Sequence, residues 1–221
     1  MTTLEAERKH LEELLHSPRL YEYAREIETA LEREARRRRE FYQQITEGEK
    51  VEFINGEIIY HSPVRLKHNS AVKRLLVLLG NYAQSRDLGF VGFEKIMISL
   101  SRNDYEPDLC YFKPEKAANF TPDQMHFPAP NFIVEILSPS TEANDRGIKF
   151  VDYAAHGVEE YWIVDPTAET VEQYRLTAEG FQLVVKVKDG PLESLTVPGF
   201  NIPVRAIFDD AENRAALQKL L

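Results

Sequence analysis

Two acidic residues stand in or beside apolar stretches, where burial disfavours a charge. Asp108 directly precedes the apolar run Leu109–Phe112, and Glu135 lies inside a second apolar run at 131–137. A carboxylate in such surroundings needs a cation, hydrogen-bond donors or a raised pKa. Hard divalent ions such as Mg²⁺ and Mn²⁺ prefer carboxylate, carbonyl and water oxygens. If the two runs form neighbouring strands, Asp108 and Glu135 can therefore meet around one such ion.

Each candidate also has a structural explanation. An aspartate after a proline, as at Asp108, is common in turns. Lys149 alone would be an ordinary surface lysine, but it lies four residues before Tyr153 in a predicted helix. The two therefore share one face, over the sheet. Glu52 is more simply interpreted as a solvent-facing strand residue. His68, near the start of a long predicted helix, is slightly better explained as a capping or interface histidine.

Hydrophobic periodicity and turn signals predict the elements that must position these residues. Asn55-Gly56 is a strong hairpin signal, and the almost unbroken apolar run 131–137 is typical of a central strand. The order of elements predicts an α/β protein, with helices on both faces of a sheet. The expected strands are 51–54, 57–60, about 90–100, 107–112, 131–137, 160–164, 169–175 and 181–187, the expected helices are 66–85, 144–156 and 210–221, and 113–130 is expected to be an exposed loop.

The first part of the chain is predicted to be helical. Residues 2–46 contain no glycine, a single proline and many Glu, Arg, Ala and Leu residues, which favour helix. Pro18 is expected to break this segment into two helices. We therefore expect a helical N-terminal extension over 1–48, packed on the body at 49–221 or on a second subunit. The run Arg36–Arg39 is interpreted as a solvated face balanced by nearby glutamates, in preference to a phosphate-binding site.

Composition limits the classes of protein that fit. The chain has 221 residues, enough for one well-buried core and too few for two full domains. Its single cysteine, Cys110, excludes an internal disulfide, which fits a reducing cytoplasm. The charged start of the chain does not resemble a signal peptide, and no apolar stretch is long enough to cross a bilayer. A net charge of −9 argues against nonspecific coating of DNA, although acids clustered around a cation would also lower the charge.

Several motifs in order resemble the Uma-two family of the PD-(D/E)XK nuclease superfamily. They are, in order along the chain, EFINGEIIYHSP, the residue His68, EPDLCYF, VEILSPST and DRGIKFVDYAAHGVEEYWIVDP. Together they span about 50–175. The dipeptide Pro107-Asp108 alone is a weak signal, whereas the ordered set is much more specific. The superfamily motif ends with a lysine two residues after the glutamate, where this chain has Leu137. The resemblance implies that Lys149, from the following helix, replaces it.

The resemblance implies a restriction-endonuclease-like central mixed sheet flanked by helices over 49–221. It also implies metal-assisted hydrolysis of phosphodiester bonds in DNA, with Mg²⁺ or Mn²⁺ held by Asp108, Glu135 and the backbone carbonyl of Ile136. Lys149 would then orient water or stabilise charge on the phosphate. Glu52 would complete the metal shell through water, and His68 could help to place a phosphate or water. A homodimer is expected, because two active sites would cut both strands of a duplex.

Three other functions compete with this expectation. A catalytically weak or inactive dimeric binding module would also suit the acidic surface and the helical extension. A glycosidase with a carboxylate pair is disfavoured, because the motif order offers no aromatic-lined cleft. A serine hydrolase is excluded for Ser138 and Ser140, since neither lies in a Gly-x-Ser-x-Gly turn.

Overall fold

The computed structural model describes residues 3–46 and 48–221. For residues 3–7 it describes the backbone only. The expected extension over 1–48 therefore includes three residues, at 1, 2 and 47, that lie outside the described residues. The break at Pro18 is confirmed, because the chain turns there between two helices. The helices of the described part are α1 Thr3–Leu15, α2 Leu20–Gln44, α3 Leu66–Ser85, α4 Pro114–Ala117, α5 Glu142–Arg146, α6 Ile148–Ala155 and α7 Asp210–Leu220.

The strands form three sheets, of which the six-stranded sheet contains the predicted central strand. The described strands are β1 Val51–Ile54, β2 Glu57–Tyr60, β3 Phe90–Phe93, β4 Met97–Ser99, β5 Asp104–Tyr105, β6 Leu109–Phe112, β7 His126–Phe127, β8 Phe132–Ile136, β9 Glu160–Asp165, β10 Thr170–Thr177, β11 Gly180–Val187, β12 Pro191–Glu193 and β13 Asn201–Pro203. The six-stranded sheet has the order β11-β10-β9-β8-β6-β3. Strands β8 and β9 are parallel, and β6 and β8 are antiparallel. The predicted mixed sheet is therefore confirmed.

Strand β8 separates two apolar cores, because its side chains alternate between the faces of the sheet. Phe132 and Val134 belong to the core that also contains residues of α3 and α7. Ile133 belongs to the opposite core, with Tyr153 of α6 and Tyr161 of β9. Helices thus cover both faces of the sheet, as predicted. Glu135 shares the face of Ile133, so its carboxylate points into the second core.

A five-stranded sheet was not predicted. The hairpin of β1 and β2 forms as expected, with Asn55 and Gly56 both at positive φ. Strand β1 then pairs with β5, so the order of this sheet is β2-β1-β5-β4-β7. The expected strand at 90–100 is wrong, because Glu94 and Lys95 adopt φ angles of 33° and 50° and divide it. Its two halves, β3 and β4, belong to different sheets.

Two other expected elements also differ from the structure. The segment 113–130 is not only loop, since it contains α4 and β7. The helix predicted at 144–156 is divided at Gly147, which ends α5 and precedes α6. The backbone at Gly147 has φ −109° and ψ −103°, far from helical values. Because of this division, the buried side chains of Asp145 and Lys149 come from two different short helices.

The second half of α2 is fixed to the body, and the first half extends from it. Phe41 stacks on Phe53 with ring centroids 5.5 Å apart. Arg38 donates two hydrogen bonds to the buried carboxylate of Asp104, at 2.6 and 2.7 Å. The interpretation of this arginine run as a solvated face is therefore wrong for Arg38. By contrast, Ile27 and Leu31 are exposed. Over the described residues, none of the helices combines the length and the apolar character that crossing a membrane requires.

Candidate metal centre

Asp108 and Glu135 are neighbours because β6 and β8 are adjacent strands. Leu109 lies opposite Val134 in the ladder, so Asp108, one residue before the ladder, lies beside Glu135. The backbone N–H of Asp108 makes a long contact of 3.4 Å with Oε2 of Glu135. Both side chains are buried. The structure therefore brings together the two carboxylates that the sequence singled out.

The carboxylate of Asp108 is held by three groups. Its Oδ2 accepts a hydrogen bond from the backbone N–H of Ile136 at 2.9 Å, and Nε2 of His68 lies 3.1 Å from the same oxygen. Its Oδ1 accepts a hydrogen bond from Nζ of Lys50 at 3.2 Å. Burial alone would raise the pKa of Asp108, but His68, Lys50 and the Ile136 N–H outweigh it and lower the pKa. Asp108 is therefore ionised and fixed in orientation.

Lys149 lies at the centre of the site, on the sheet side of α6 as predicted. Its Nζ is 2.8 Å from Oε1 of Glu52, 3.1 Å from Oε1 of Glu135 and 3.2 Å from Oδ1 of Asp145. Burial alone would lower the pKa of Lys149, but the attraction of these three carboxylates raises it well above its ordinary value. The side chain is therefore an ammonium ion that donates hydrogen bonds, and it is not a general base.

At Glu135, burial outweighs the attraction of the nearby positive charge, so the pKa of this carboxyl group is raised. Its Oε1 also accepts a hydrogen bond from the hydroxyl of Tyr153 at 3.0 Å. Burial raises the pKa of Glu135, Lys149 opposes this effect, and repulsion from Asp145 and Asp108 adds to it, which brings the pKa to about 8. The positive charge around Glu135 is thus too small to offset its burial and the repulsion from Asp145 and Asp108.

Glu52 is buried, so its interpretation as a solvent-facing residue is wrong. Besides Lys149, it accepts a hydrogen bond from the backbone N–H of Glu106 at 2.9 Å, and Nε2 of His61 lies 3.1 Å from its Oε2. Burial would raise the pKa of Glu52, but Lys149 and His61 lower it to about 2. Its role here is to hold Lys149. His68, similarly, does not cap α3, since the N-cap is Arg65.

Four residues of the site were missed by sequence reasoning. They are Lys50, His61, Glu106 and Asp145. Alternation in extended backbone could have found Lys50 from Glu52 and Glu106 from Asp108, because residues two apart share a face. Asp145 lies four residues before Lys149 in the helix predicted at 144–156, a spacing that would have placed the two side by side, although Gly147 divides this helix between them.

Glu106 is the least satisfied of these acids. Its side chain is buried, and its Oε2 makes no hydrogen bond with any of the described residues. Burial raises the pKa of Glu106, Lys50 opposes this effect and Glu52 adds to it, which brings the pKa to about 7. A buried oxygen without a partner costs free energy. Glu106 therefore has an acceptor available for a cation.

These groups line a cleft of about 230 Å³. Its mouth carries hydroxyl groups of Ser138, Ser140 and Thr141 and the guanidinium of Arg65. Deeper in the cleft, four buried carboxyl groups stand beside two lysines: Glu106, Asp108, Glu135 and Asp145, with Lys50 and Lys149. An open cleft lined by several carboxyl groups can receive a cation.

The donor groups fit a magnesium or manganese ion. Asp108 and Glu135 supply carboxylate oxygens, and the backbone N–H of Ile136 holds the carboxylate of Asp108 in place. Within the described residues, no three or more His, Cys, Asp or Glu side chains are arranged to hold a metal ion. Mg²⁺ keeps several waters and often takes only one or two carboxylates. Two carboxylates therefore fit the ligand preference of such an ion, which would complete its coordination with water.

Comparison with known proteins finds a matching family model, related sequences and solved structures of similar fold, among them the following. The model of the Uma2 family, described as "Putative restriction endonuclease", matches residues 38–205. An uncharacterized protein of Synechocystis sp. is 28% identical over 165 residues, with 72% of this chain and 84% of the relative covered. A second one from the same organism is 32% identical over 130 residues, with 58% and 72% covered.

The solved structure is that of a "putative nuclease belonging to DUF820" from Anabaena variabilis. It matches with a TM-score of 0.66 at 17% identity, and 78% of this chain and 96% of that chain are covered. At this identity the match shows a common fold. The residues of the candidate centre all lie inside the span of the family match, whereas α1 and most of α2 lie outside it.

Proposed function

The chain belongs to the Uma2 family, and from this membership we propose that it is a divalent-metal-dependent endonuclease that hydrolyses phosphodiester bonds in DNA. The observation that carries the proposal is the meeting of Asp108, Glu135 and Lys149 in an open cleft. Two carboxylates from adjacent strands can hold a hard cation, and a fixed ammonium beside them can contact a phosphate. A cytoplasmic location is part of the proposal.

The residues proposed to hold Mg²⁺ or Mn²⁺ are Asp108, Glu135 and, through its backbone carbonyl, Ile136. When bound, such an ion lowers the pKa of a coordinated water and polarises a phosphate oxygen. The chain prepares the site before binding, because the Ile136 N–H and His68 fix the orientation of Asp108. Preorganised ligands lose little conformational freedom when they bind.

Lys149 is proposed to donate hydrogen bonds to the phosphate or to the attacking water. Its ammonium stays charged because Glu52, Glu135 and Asp145 surround it. A fixed positive charge aimed at developing negative charge stabilises the transition state without reorganisation. Glu52 acts through Lys149 in this proposal and is a positioning residue. The expected link of Glu52 to the ion through water is thereby replaced by its direct contact with Lys149.

The mouth of the cleft is proposed to contact the DNA backbone. Ser138, Ser140 and Thr141 supply hydroxyl donors, and Arg65 supplies a positive charge. Such groups bind phosphate oxygens without reading the base sequence. Because the whole chain carries a net charge of −9, binding to DNA should depend on these local contacts and on the divalent ion.

A homodimer is also proposed, with the first half of α2 as the contact. Leu31 and Ile27 lie seven and eleven residues before Arg38, which is about two and three turns of α2, so they continue the face that is docked on the body. On the body this face is covered, whereas Leu20, Ile27 and Leu31 remain exposed. A second copy of the chain would cover them and would place two clefts in one assembly.

Plasmid cleavage tests the proposed activity. Supercoiled plasmid is incubated with the wild-type protein and Mg²⁺, Mn²⁺ or a chelator, and nicked and linear products are measured. We expect cleavage with either ion and none with the chelator. The variants D108N and E135Q should lose at least about a hundredfold, since each removes a charge from the pair. The variant E13Q, on the exposed surface of α1, should cleave like the wild type.

Two outcomes would contradict the proposal. One is cleavage that D108N and E135Q leave unchanged while circular dichroism shows them folded. The other is binding of the plasmid without cleavage at any ion concentration, which would favour the inactive binding module.

A further inference from the structure

The two oxygens of the Asp108 carboxylate have different neighbours. Oδ2 contacts two groups of the body, the N–H of Ile136 and Nε2 of His68. Oδ1 contacts the ammonium of Lys50, at 3.2 Å. An ion that binds Asp108 without disturbing the contacts of Oδ2 must therefore bind Oδ1, where Lys50 now lies.

Lys50 can leave this position without a change in the backbone. Its own carbonyl accepts a hydrogen bond from the N–H of His61 at 3.1 Å, which fixes the chain just before β1. Its side chain is 25% exposed, whereas that of Asp108 is 6% exposed. A lysine has four flexible methylene groups between backbone and charge. The ammonium can thus move within the cleft while residue 50 stays in place.

A second acceptor is available to Lys50 inside the same cleft. Oε2 of Glu106 is buried and lacks a hydrogen-bond partner throughout the described part of the chain. Glu106 and Lys50 both line the cleft, and the charge of Lys50 already acts on Glu106. An ammonium displaced from Asp108 would find in Oε2 of Glu106 an acceptor that makes no hydrogen bond with any described residue.

We propose that Lys50 is a placeholder for the divalent ion, which neutralises Oδ1 of Asp108 in the free protein and moves to Glu106 when an ion binds. The inference rests on the proposed function, because it takes Asp108 as a ligand. Lys50 then competes with the ion for Oδ1 of Asp108 and so sets the affinity of the protein for the ion. Glu106 reduces the free energy that is needed to displace Lys50. The partly exposed lysine keeps the buried aspartate compensated whenever the ion is absent.

The affinity for Mn²⁺ alone, without DNA, tests this inference by isothermal titration calorimetry of the full chain. The variant K50M removes the competitor and should bind Mn²⁺ about tenfold more tightly than the wild type or better, since a hydrogen bond between charged groups is lost from the free state only. The variant K50R keeps a cation at this position and should stay close to the wild type. K50Q serves as a second neutral variant if K50M folds poorly.

Removing any positive charge near the cleft could also favour a cation, so R65Q is the matched control. Arg65 lines the same cleft, whereas the carboxylate of Asp108 is held by Ile136, His68 and Lys50. R65Q should change the affinity less than threefold or so. In E106Q, Mn²⁺ should bind more weakly than in the wild type, and the double variant K50M/E106Q should bind like K50M. This loss of the Glu106 effect would show that the two residues are coupled.

The outcomes separate this inference from the proposed function. If the wild type binds Mn²⁺ and D108N does not, but K50M binds no more tightly than R65Q, the placeholder role of Lys50 is wrong and the metal site stands. If neither the wild type nor K50M binds Mn²⁺, both proposals are wrong. Tighter binding by K50M alone, reversed in K50R, is the result we expect.

Discussion

Lys149 connects three carboxylates that come from three different elements of the chain. Glu52 lies in β1, Glu135 in β8 and Asp145 in α5, and all three are buried. Buried charges of one sign repel each other strongly unless a counterion lies between them. Lys149 therefore stabilises the fold of the metal-free protein in addition to its proposed part in catalysis.

Replacing Lys149 by methionine should reveal both roles. We expect K149M to abolish cleavage and to lower the free energy of unfolding by about 3–5 kcal/mol, because three buried carboxylates lose their counterion. Urea denaturation measures the second effect. The double variant K149M/E52Q should recover part of the stability but none of the activity. A K149M protein as stable as the wild type would contradict this view of the site.

The pair of Asp108 and Glu135 could be predicted from the sequence, whereas the burial of Glu52 could not. Each of the two stands out because an acid interrupts an apolar stretch. Glu52 gives no such signal: its strand reads as an ordinary hairpin strand, and its burial results from pairing of β1 with β5 in an unpredicted sheet. Burial by distant elements is a tertiary effect that local patterns do not contain.

At the level of elements, the central sheet could be predicted and the second sheet could not. Long apolar strands such as β8 and β9 carry a strong signal. The separation of β3 from β4 depends on Glu94 and Lys95 at positive φ, which is uncommon for residues other than glycine. Gly92 lies two residues earlier, inside β3, but neither glycine nor proline occupies positions 94 and 95 themselves. A continuous strand was therefore the natural expectation, and it is wrong.

Arg38 is expected to hold α2 to the body. Its guanidinium is 16% exposed and binds Asp104, which is fully buried and also accepts a hydrogen bond from Tyr42. R38A should lower the free energy of unfolding by about 3 kcal/mol, because the carboxylate loses its counterion. The neighbouring R37A, which breaks a half-exposed pair with Glu57, should cost about 1 kcal/mol or less. Equal losses in urea denaturation would show that Arg38 is not a specific anchor.

The contact of α5 with β10 should depend on pH. Arg146 donates hydrogen bonds to both oxygens of Glu172, at 2.8 and 3.0 Å. The hydrogen bonds from Arg146 lower the pKa of Glu172 to about 2, against burial and with help from Lys186 and Tyr174. A carboxyl group whose pKa is lowered on folding stabilises the protein above its unfolded pKa, and this stabilisation is lost as the pH falls from about 4.5 to about 2.

The variant E172Q lacks this titration. The wild type should be more stable than E172Q at about pH 6, and the difference should shrink as the pH falls toward 2. Urea denaturation of both proteins across this range measures the difference. A difference that is constant with pH would contradict the lowered pKa of Glu172.

At the scale of the whole molecule, the exposed stripe on α2 is the feature that a single chain leaves unexplained. Light scattering at micromolar concentration should give the mass of a dimer. Replacing Ile27 and Leu31 by glutamate should give a monomer, because it removes apolar area from the proposed contact. As a control, the exposed Glu28, between them in sequence, can be replaced by glutamine. A wild-type monomer would contradict the proposed dimer but leave the metal site unaffected.

The central claim is that Asp108 and Glu135 share one divalent ion, and a crystal structure determined with Mn²⁺ tests it most directly. Anomalous scattering locates manganese independently of how the surrounding density is interpreted. We expect one manganese peak between the two carboxylates, within about 2.5 Å of an oxygen of each. Manganese absent from this cleft at saturating concentration, or bound elsewhere with both carboxylates unchanged, would contradict the claim.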